Sequence, residues 1–215
     1  LTFAKAVASA NSLLGEEALA RRSFVQAHGS STPQNRVTES EILDRIGAVF
    51  NIDQWPVTAV KAFVGHSLAP ASGDQLINTL GIFAHGILPG ITTIDRVADD
   101  VLQKRLSIST QHHELESPID IAFLNSKGFG GNNATASIWS PTLNDKMLSK
   151  RYGQKAMTAY QVRSEHTRET ANNYHSEFLK GNYQVIYKFG EDMLDEKNIE
   201  IDQNSLRIPG YGKAI

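Results

Sequence analysis

The sequence predicts an α/β domain in which helices cover a mixed β-sheet. Apolar patterns between residues 2 and 139 follow the order helix, strand, helix, strand, helix, strand, strand. Such alternation is typical of layered α/β folds. The chain has 215 residues, of which 40% are hydrophobic, so it can bury a substantial core. Glycine-containing turns follow three of the predicted strands, which indicates that polar groups gather at the strand ends.

The first part of the pattern contains two helices and a strand. Residues 2–12 are rich in alanine and carry apolar side chains at helical spacing. Residues 23–27 form a short apolar run, which predicts a strand that enters a polar turn. Thr38 and Glu41 have the spacing of a capping box and predict the start of the second helix. The apolar face of this helix is predicted to consist of Ile42, Leu43, Ile46, Val49 and Phe50.

A further helix and four strands follow. The run from Val57 to Val64 predicts a buried strand that includes Lys61. Residues 74–84 place apolar side chains on one face, which predicts a helix. The other predicted strands are a weak one at 105–109 and two stronger ones at 119–124 and 135–139.

Composition changes at Ser140-Pro141, which divides the chain into two predicted parts. Residues 1–140 hold the α/β pattern. Residues 141–215 predict a C-terminal extension that packs on this domain. The extension is predicted to contain a long polar helix over 143–179, a strand over 183–189 and an irregular tail.

Bulk composition argues against several classes of function. A net charge of −2 and a pI near 6.4 give no sign of nucleic acid or an anionic membrane as a partner. Apolar runs fall short of the ~18 residues of a membrane-spanning helix, and the first residues do not resemble a signal peptide. We therefore expect a cytoplasmic protein. The chain has no cysteine, which excludes disulfides, thiolate metal sites and a cysteine nucleophile within it. Leu1 is not a natural start, so we expect a piece of a longer polypeptide.

Two histidines and a lysine lie in the turn segments. His28 follows a predicted strand, His66 precedes a predicted helix, and Lys61 lies five residues before His66. A neutral imidazole in such a place can donate a hydrogen bond to a developing oxyanion. The positive end of a helix dipole helps to keep that imidazole neutral. Spacing alone leaves an alternative open, in which both histidines are structural turn residues and Lys61 reaches solvent.

Three segments of the chain carry a more specific pattern. Residues 27–33 read AHGSSTP, residues 60–67 read VKAFVGHS, and residues 125–134 read NSKGFGGNNA. Their sequences, order and separations resemble those of the β-ketoacyl-acyl-carrier-protein synthases, condensing enzymes of the thiolase superfamily. The resemblance covers residues 1–140, which correspond to the C-terminal half of such an enzyme.

The resemblance implies a thiolase-like αβαβα architecture and a decarboxylating Claisen condensation of fatty acid biosynthesis. Carried over to this sequence, His28 and His66 stabilise the enolate that malonyl decarboxylation leaves, and Lys61 organises the site electrostatically. The substrate-binding positions that it implies are Ser30, Thr32, Phe129, Gly130 and Gly131. Among these, Ser30 and Thr32 match hydroxyl groups that bind the phosphopantetheine arm, and Phe129 matches a gating ring.

The resemblance also implies partners. The substrates are carried on the phosphopantetheine of an acyl carrier protein, and no other cofactor or metal is expected. The nucleophilic cysteine is expected on an N-terminal half of the enzyme, at a turn between a strand and a helix. A homodimer is expected from the family. This chain on its own is therefore expected to be inactive.

Several positions depart from the family pattern. Lys127 stands where an apolar or aromatic residue is usual, and it is either a determinant of acyl or carrier recognition or a solvated side chain. Gln75 stands where a carboxylate is expected, and the adjacent Asp74 is a candidate replacement. Residues 141–215 lie beyond the usual end of the family, which indicates a divergent subgroup.

Two other readings compete with a condensing enzyme. One is a non-catalytic subunit of a polyketide or fatty acid synthase, such as a chain-length-factor-like or carrier-protein-docking protein. Retention of His28, Lys61 and His66 argues against it. The other is a thiolase-type enzyme without decarboxylation, which the presence of two histidines and the lack of cysteine disfavour.

Overall fold

The structure is a computed structural model that describes residues 1–182, 184–185, 189–191 and 193–210. It contains two compact units, Leu1–Gln154 and Lys155–Ile215. The first unit is built on a five-stranded sheet with helices on both faces. The predicted α/β class with a mixed sheet is confirmed. The structure divides the chain after Gln154. The predicted domain boundary after residue 140 stays a prediction.

The helices and strands have the following bounds in chain order. The helices are α1 (Thr2–Leu14), α2 (Glu16–Arg21), α3 (Pro33–Val49), α4 (Lys61–Val64), α5 (Ala71–His85) and α6 (Pro141–Leu179), the last interrupted at Gly153. The strands are β1 (Ser23–Gln26), β2 (Trp55–Thr58), β3 (Ile87–Leu88), β4 (Leu106–Ile108), β5 (His113–Glu114), β6 (Ile121–Lys127), β7 (Asn133–Trp139), β8 (Glu200–Asp202) and β9 (Ser205–Arg207).

The order of strands in the main sheet is β4-β2-β1-β6-β7. The first four strands are parallel, and β7 returns antiparallel to β6 as a hairpin. Val25 in the central strand lies opposite Val57 on one side and Phe123 on the other. Because parallel neighbours in register end at the same edge, the turns after β1, β2 and β6 meet there.

One face of the sheet is covered by α1 and α3. Three rings pack together on this face, with centroids 5.9 Å apart for Phe3 and Trp55 and 5.8 Å apart for both Phe3–Phe123 and Trp55–Phe123. The Trp55 indole N–H donates to Ser23 Oγ at 2.9 Å, which satisfies its buried polar atom. This aromatic cluster joins α1 to two strands of the sheet.

The opposite face is covered by α5. Ile82 of this helix packs in a second cluster with Phe24, Ala122 and Leu124. Phe24 and Leu124 alternate along their strands with the residues that face α1 and α3, as a sheet buried on both faces requires. The sheet is therefore a central layer between two helical layers.

Two predicted boundaries are wrong at residues that matter for the site. The strand predicted over Val57–Val64 ends at Thr58, and Lys61 instead begins the one-turn helix α4. The second helix starts at Pro33 with Thr32 as its N-cap, because proline favours the first helical turn. The predicted capping box is absent: Thr38 lies inside α3 and donates to the carbonyl of Gln34 at 2.8 Å.

The predicted apolar face of α3 is also only partly correct. Leu43 and Ile46 are buried, but Ile42 and Val49 are 45% and 73% exposed. The buried face is shifted and is shared with polar residues, among them Glu39 and Asp44. Polar groups on the inner face of a helix indicate specific hydrogen bonding there.

The second unit contains the C-terminal part of α6 and the hairpin of β8 and β9. Four positions of the strand predicted over 183–189, namely 183 and 186–188, lie outside the described residues. Within the described part of the chain, no helix combines the length and apolar character needed to cross a membrane.

The aromatic cluster predicts a large effect of truncation. Phe3→Ala should lower the free energy of unfolding by about 3–5 kcal/mol, because it removes buried contacts with two rings and leaves a cavity. Leu13→Ala on the same helix is the matched control, since Leu13 is 60% exposed, and it should change stability by less than about 0.5 kcal/mol. Urea titration of both variants compares them, and equal effects would contradict the packing described.

Candidate active site

The turns after β1, β2 and β6 bring the predicted catalytic residues together at one edge of the sheet. The rings of His28 and His66 lie edge to face, with centroids 5.3 Å apart and an interplanar angle of 80°. Lys61 and His66 line the same pocket. His28 is buried, whereas His66 is exposed to that pocket and to solvent.

Backbone hydrogen bonds select one tautomer for both rings. The N–H of Lys127 donates to His28 Nδ1 at 3.3 Å, and the N–H of Leu68 donates to His66 Nδ1 at 3.1 Å. A nitrogen that accepts such a bond carries no proton, so each neutral ring has its proton on Nε2. The site therefore presents two Nε2–H donors.

The surroundings of His28 favour its neutral form. Burial is the main cause that lowers the pKa of His28 below its ordinary value of 6.5, and the positive charge of Lys61 lowers it further. The carboxylate of Glu39 opposes this shift, and the His66 and Lys127 side chains add to it. A neutral imidazole near neutral pH keeps Nε2–H as a donor without adding a positive charge to the site.

Lys61 is buried and has an unusual environment. Its side chain is 7% exposed, and its Nζ lacks a hydrogen-bond partner among the residues that the structure describes. Burial lowers the pKa of Lys61, while Glu39 and Asp74 raise it through their negative charges. A buried amine without a partner is ready to bind an oxygen atom of a ligand.

Glu39 is a central residue that the sequence patterns did not reveal. Its Oε1 accepts hydrogen bonds from the His28 N–H at 2.8 Å and from Asn125 Nδ2 at 2.6 Å. Its Oε2 accepts from the Gly29 N–H at 3.0 Å and from Asn35 Nδ2 at 3.1 Å. This carboxylate thus joins the His28 turn to β6. The sequence contained one indication that Glu39 is buried. It lies four residues before Leu43 and therefore on the inner face of the helix.

Gln75 joins the same segments from the opposite face of the sheet. Its Nε2 donates to the carbonyls of Ala27 at 2.7 Å, Asn125 at 3.0 Å and Gln26 at 3.3 Å. The neighbouring Asp74 accepts a hydrogen bond from Ser67 Oγ and acts electrostatically on Lys61. Asp74 therefore has a charge interaction with Lys61, and Gln75 has a structural role.

The two histidine turns contain constrained backbone. Gly29 has φ +59°, and a Cβ at this position would lie 2.7 Å from the Cβ of Ala59. Ser31 and Leu68 adopt φ values of 59° and 62°, which side-chain-bearing residues rarely do. Such conformations persist only where the surrounding structure enforces them, and they concentrate at functional sites.

The structure brings only some of the residues predicted to bind substrate to the pocket beside Lys61 and His66. Ser30 lines the pocket of Lys61 and His66, whereas Thr32 occupies the N-cap position of α3 without a side-chain capping bond and is exposed. Phe129 is 92% exposed on the β6–β7 turn, where Gly130 and Gly131 adopt φ values of 73° and 81°. The roles of these five residues stay predictions.

Glu39→Gln should destabilise the site, because one oxygen is replaced by an NH₂ group that faces N–H donors. We expect a loss of about 1–3 kcal/mol in the free energy of unfolding. Glu41→Gln is the matched control: Glu41 lies on the same helix and pairs with Arg45 at the surface, where such a pair contributes about 0.3–0.5 kcal/mol. Equal losses in the two variants, measured by denaturant titration, would refute the role of Glu39.

The environment of His28 predicts the direction of two pH effects. Lys61→Met should raise the pKa of His28, because it removes a positive charge that disfavours the imidazolium. NMR titration of the ring measures this shift, and Lys5→Met at an exposed site of α1 should leave the pKa unchanged. In the unmodified chain, the unfolded state binds this proton more readily, so His28 should lower the free energy of unfolding as the pH falls below about 6.5.

Known proteins with similar sequences belong to one family of enzymes. Residues 9–95 match the family model described as "Beta-ketoacyl synthase, C-terminal domain". The chain is 55% identical over all 215 residues to the β-ketoacyl-acyl-carrier-protein synthase FabY of Pseudomonas aeruginosa, of which it covers 34%. It is 32% identical over 112 residues to 3-oxoacyl-acyl-carrier-protein synthase 1 of Escherichia coli, covering 52% of this chain and 26% of that protein.

Solved structures that are similar to this chain include two ketosynthases. The crystal structure of the P. aeruginosa ketosynthase FabY matches 97% of this chain and 33% of its own, with a TM-score of 0.87 and 56% identity. A β-ketoacyl synthase of Burkholderia phymatum matches 65% of this chain and 32% of its own with a TM-score of 0.52 and 22% identity, which shows the shared fold.

These matches differ in extent. The chain spans about a third of the length of FabY, and the match with FabY includes residues 141–215. The match with the E. coli enzyme covers only about half of this chain. The chain therefore belongs to the β-ketoacyl synthase family and carries the C-terminal domain of its thiolase-like fold.

Proposed function

We propose that this chain supplies the enolate-stabilising part of a β-ketoacyl-acyl-carrier-protein synthase of fatty acid biosynthesis. The reaction is the decarboxylating condensation of malonyl-acyl-carrier protein with an acyl thioester. The observation that carries the proposal is the pair of Nε2–H donors of His28 and His66, with ring centroids 5.3 Å apart. Two donors aimed at one oxygen atom are what a thioester enolate requires.

Decarboxylation is the step assigned to these residues. The bond between the α-carbon and the carboxylate of the malonyl group breaks, and carbon dioxide leaves. The electron pair of that bond moves toward the thioester carbonyl, whose oxygen becomes negative. His28 and His66 donate hydrogen bonds to this oxygen, and the nearby charge of Lys61 favours the anionic state.

Substrate delivery follows from the same proposal. Ser30 and Thr32 bind the phosphopantetheine arm of an acyl carrier protein, and no further cofactor takes part. Phe129, on a turn with Gly130 and Gly131 in left-handed conformations, acts as a gate beside the thioester. An acyl carrier protein as the partner is supported by the relatives, which are named as acyl-carrier-protein synthases.

The acyl-holding part of the chemistry must come from residues outside this sequence, which has no cysteine. We assign the nucleophile to the N-terminal half of the condensing enzyme, so that this chain alone is inactive.

The outer face of α5 supports such a partner, since Leu76, Ile77 and Leu80 are 37%, 71% and 49% exposed. A row of exposed apolar side chains on one helix face is typical of a surface that another element covers. We further propose that the complete enzyme is a homodimer and that it acts in the cytoplasm.

The function is tested by removing one donor at a time in the enzyme completed with its cysteine-bearing half. His28→Ala and His66→Ala should each reduce carbon dioxide release from malonyl-acyl-carrier protein by a factor of about 10²–10³. His175→Ala is the control, because His175 is exposed in the second unit, and it should retain full activity.

The outcomes separate the candidate functions. Undiminished carbon dioxide release in either active-site variant would remove the assigned role of that histidine. Absence of decarboxylation in the completed, unmodified enzyme would instead favour the non-catalytic subunit of a polyketide or fatty acid synthase, of the chain-length-factor-like or carrier-protein-docking kind.

A further inference from the structure

Lys127 ends β6 at the edge of the sheet that carries the histidines. Its backbone N–H donates to His28 Nδ1 at 3.3 Å, and its Nζ lies 3.4 Å from Thr38 Oγ1 on α3. Because side chains alternate along a strand, Lys127 lies on the same face as Asn125, which bonds to Glu39. The partly exposed side chain is therefore directed toward α3, beside the residues that hold His28.

The carboxylate of Glu39 carries a charge that opposes the proposed chemistry. Glu39 is 5% exposed, and its Oε1 accepts from the His28 N–H at 2.8 Å. A negative charge so close favours the imidazolium form of His28 and disfavours a negative oxygen beside it. The four groups that donate to this carboxylate are uncharged amides, so they satisfy its oxygens without cancelling its charge. An anionic transition state therefore needs positive charge on other side chains nearby.

Protonation of His28 would also break the bond that orients its ring. The second proton would go to Nδ1, which accepts from the Lys127 N–H. Two N–H groups would then face each other, and the ring would have to turn. The site therefore depends on a neutral His28, and the charges around the ring decide the pH range over which it stays neutral.

Four titratable side chains act on His28 from the elements around it. Burial is the largest cause that lowers the pKa of His28, and Lys61 on α4, His66 in the following turn and Lys127 on β6 lower it further. Glu39 on α3 raises the pKa through its negative charge. The effect of this carboxylate is therefore opposed by lysines on two different elements.

The two lysines differ in what they can reach. Lys61 lines the substrate pocket with His66, and its charge is shared, because Glu39 and Asp74 both act on it. Lys127 is not among the described residues that line this pocket, but it lines a neighbouring cavity of about 270 Å³ together with Glu39. Lys127 can therefore act on Glu39 without touching substrate, while Lys61 remains available to a substrate oxygen.

We propose that Lys127 is a positioning residue whose ammonium group offsets the charge of Glu39 and so keeps His28 a neutral donor in the working enzyme. This inference rests on the proposed condensing function. With both lysines charged, the thioester oxygen becomes negative next to a carboxylate that is offset from two sides. Lys61 alone, whose charge is shared with Asp74, offsets Glu39 incompletely, and His28 then takes up a proton at a higher pH. Lys127 thus extends activity toward acidic pH.

The pH dependence of carbon dioxide release tests this role in the enzyme completed with its cysteine-bearing half. Lys127→Met removes the charge and keeps a side chain of similar length. At about pH 5.5, one unit below the ordinary pKa of histidine, it should lower kcat about three- to tenfold. The loss should shrink toward about pH 8, where His28 is neutral in every variant. It should lie in kcat and not in KM, because Lys127 does not line the substrate pocket.

Further variants separate the charge from side-chain packing. Lys127→Arg keeps the charge and should restore the unmodified profile, and Lys5→Met at an exposed site of α1 should not alter it. Lys127→Gln is a second neutral variant for the case in which Lys127→Met fails to fold. A loss in Lys127→Arg as large as that in the neutral variants would overturn the proposal, as would an unmodified profile in a folded neutral variant.

NMR titration of His28 in the same enzyme separates this inference from the proposed function, because it needs no turnover. The pKa of His28 should be higher in Lys127→Met than in Lys127→Arg or Lys5→Met. If the completed, unmodified enzyme releases no carbon dioxide, the proposed function fails, and the titration decides the electrostatic role alone. Equal pKa values in the three variants would overturn that role.

Discussion

The arrangement of the site depends on the buried carboxylate of Glu39. Four N–H groups converge on its two oxygens, from the His28 turn, from α3 itself and from β6. A carboxylate is the side chain suited to this position, since it has only acceptors and can satisfy several donors at once. On the other face of the sheet, Gln75 provides a donor where Glu39 provides acceptors. Its NH₂ group is shared among three backbone carbonyls. The two strand ends that carry the first histidine and the glycine-rich turn are thus joined from both sides of the sheet.

This double attachment explains why the helical layers matter for chemistry as well as for stability. The α3 helix is positioned by packing of Leu43 and Ile46 on the sheet, and α5 by packing of Ile82. Their polar residues then act at the strand ends with little freedom to move. Preorganised donors are effective because they need no rearrangement when charge develops. A change in either hydrophobic cluster would therefore be transmitted to the orientation of His28.

The order of strands and helices was predictable because apolar periodicity reports burial directly. The histidines and the lysine were predictable because their motifs have a fixed sequence. The path of the chain around Lys61 was not, since Val57, Val60 and Val64 have high strand propensity and only tertiary contacts end β2 at Thr58. Glu39 was missed for a related reason: a glutamate in a helix resembles a surface residue until its buried partners, such as Asn125 some 86 positions away, are known.

The identity of residue 75 has a consequence for the history of this site. The family pattern places a carboxylate near this position, but here a carboxylate would point at three carbonyl oxygens and would have no donor to meet them. An acid could return only together with a rearrangement of the strand ends, so the glutamine and the local backbone path have to change as one unit. Gln75→Glu alone would therefore place a negative charge against acceptors only. Residue 75 and the two strand ends are thus one coupled set, in which the effect of changing one part depends on the others.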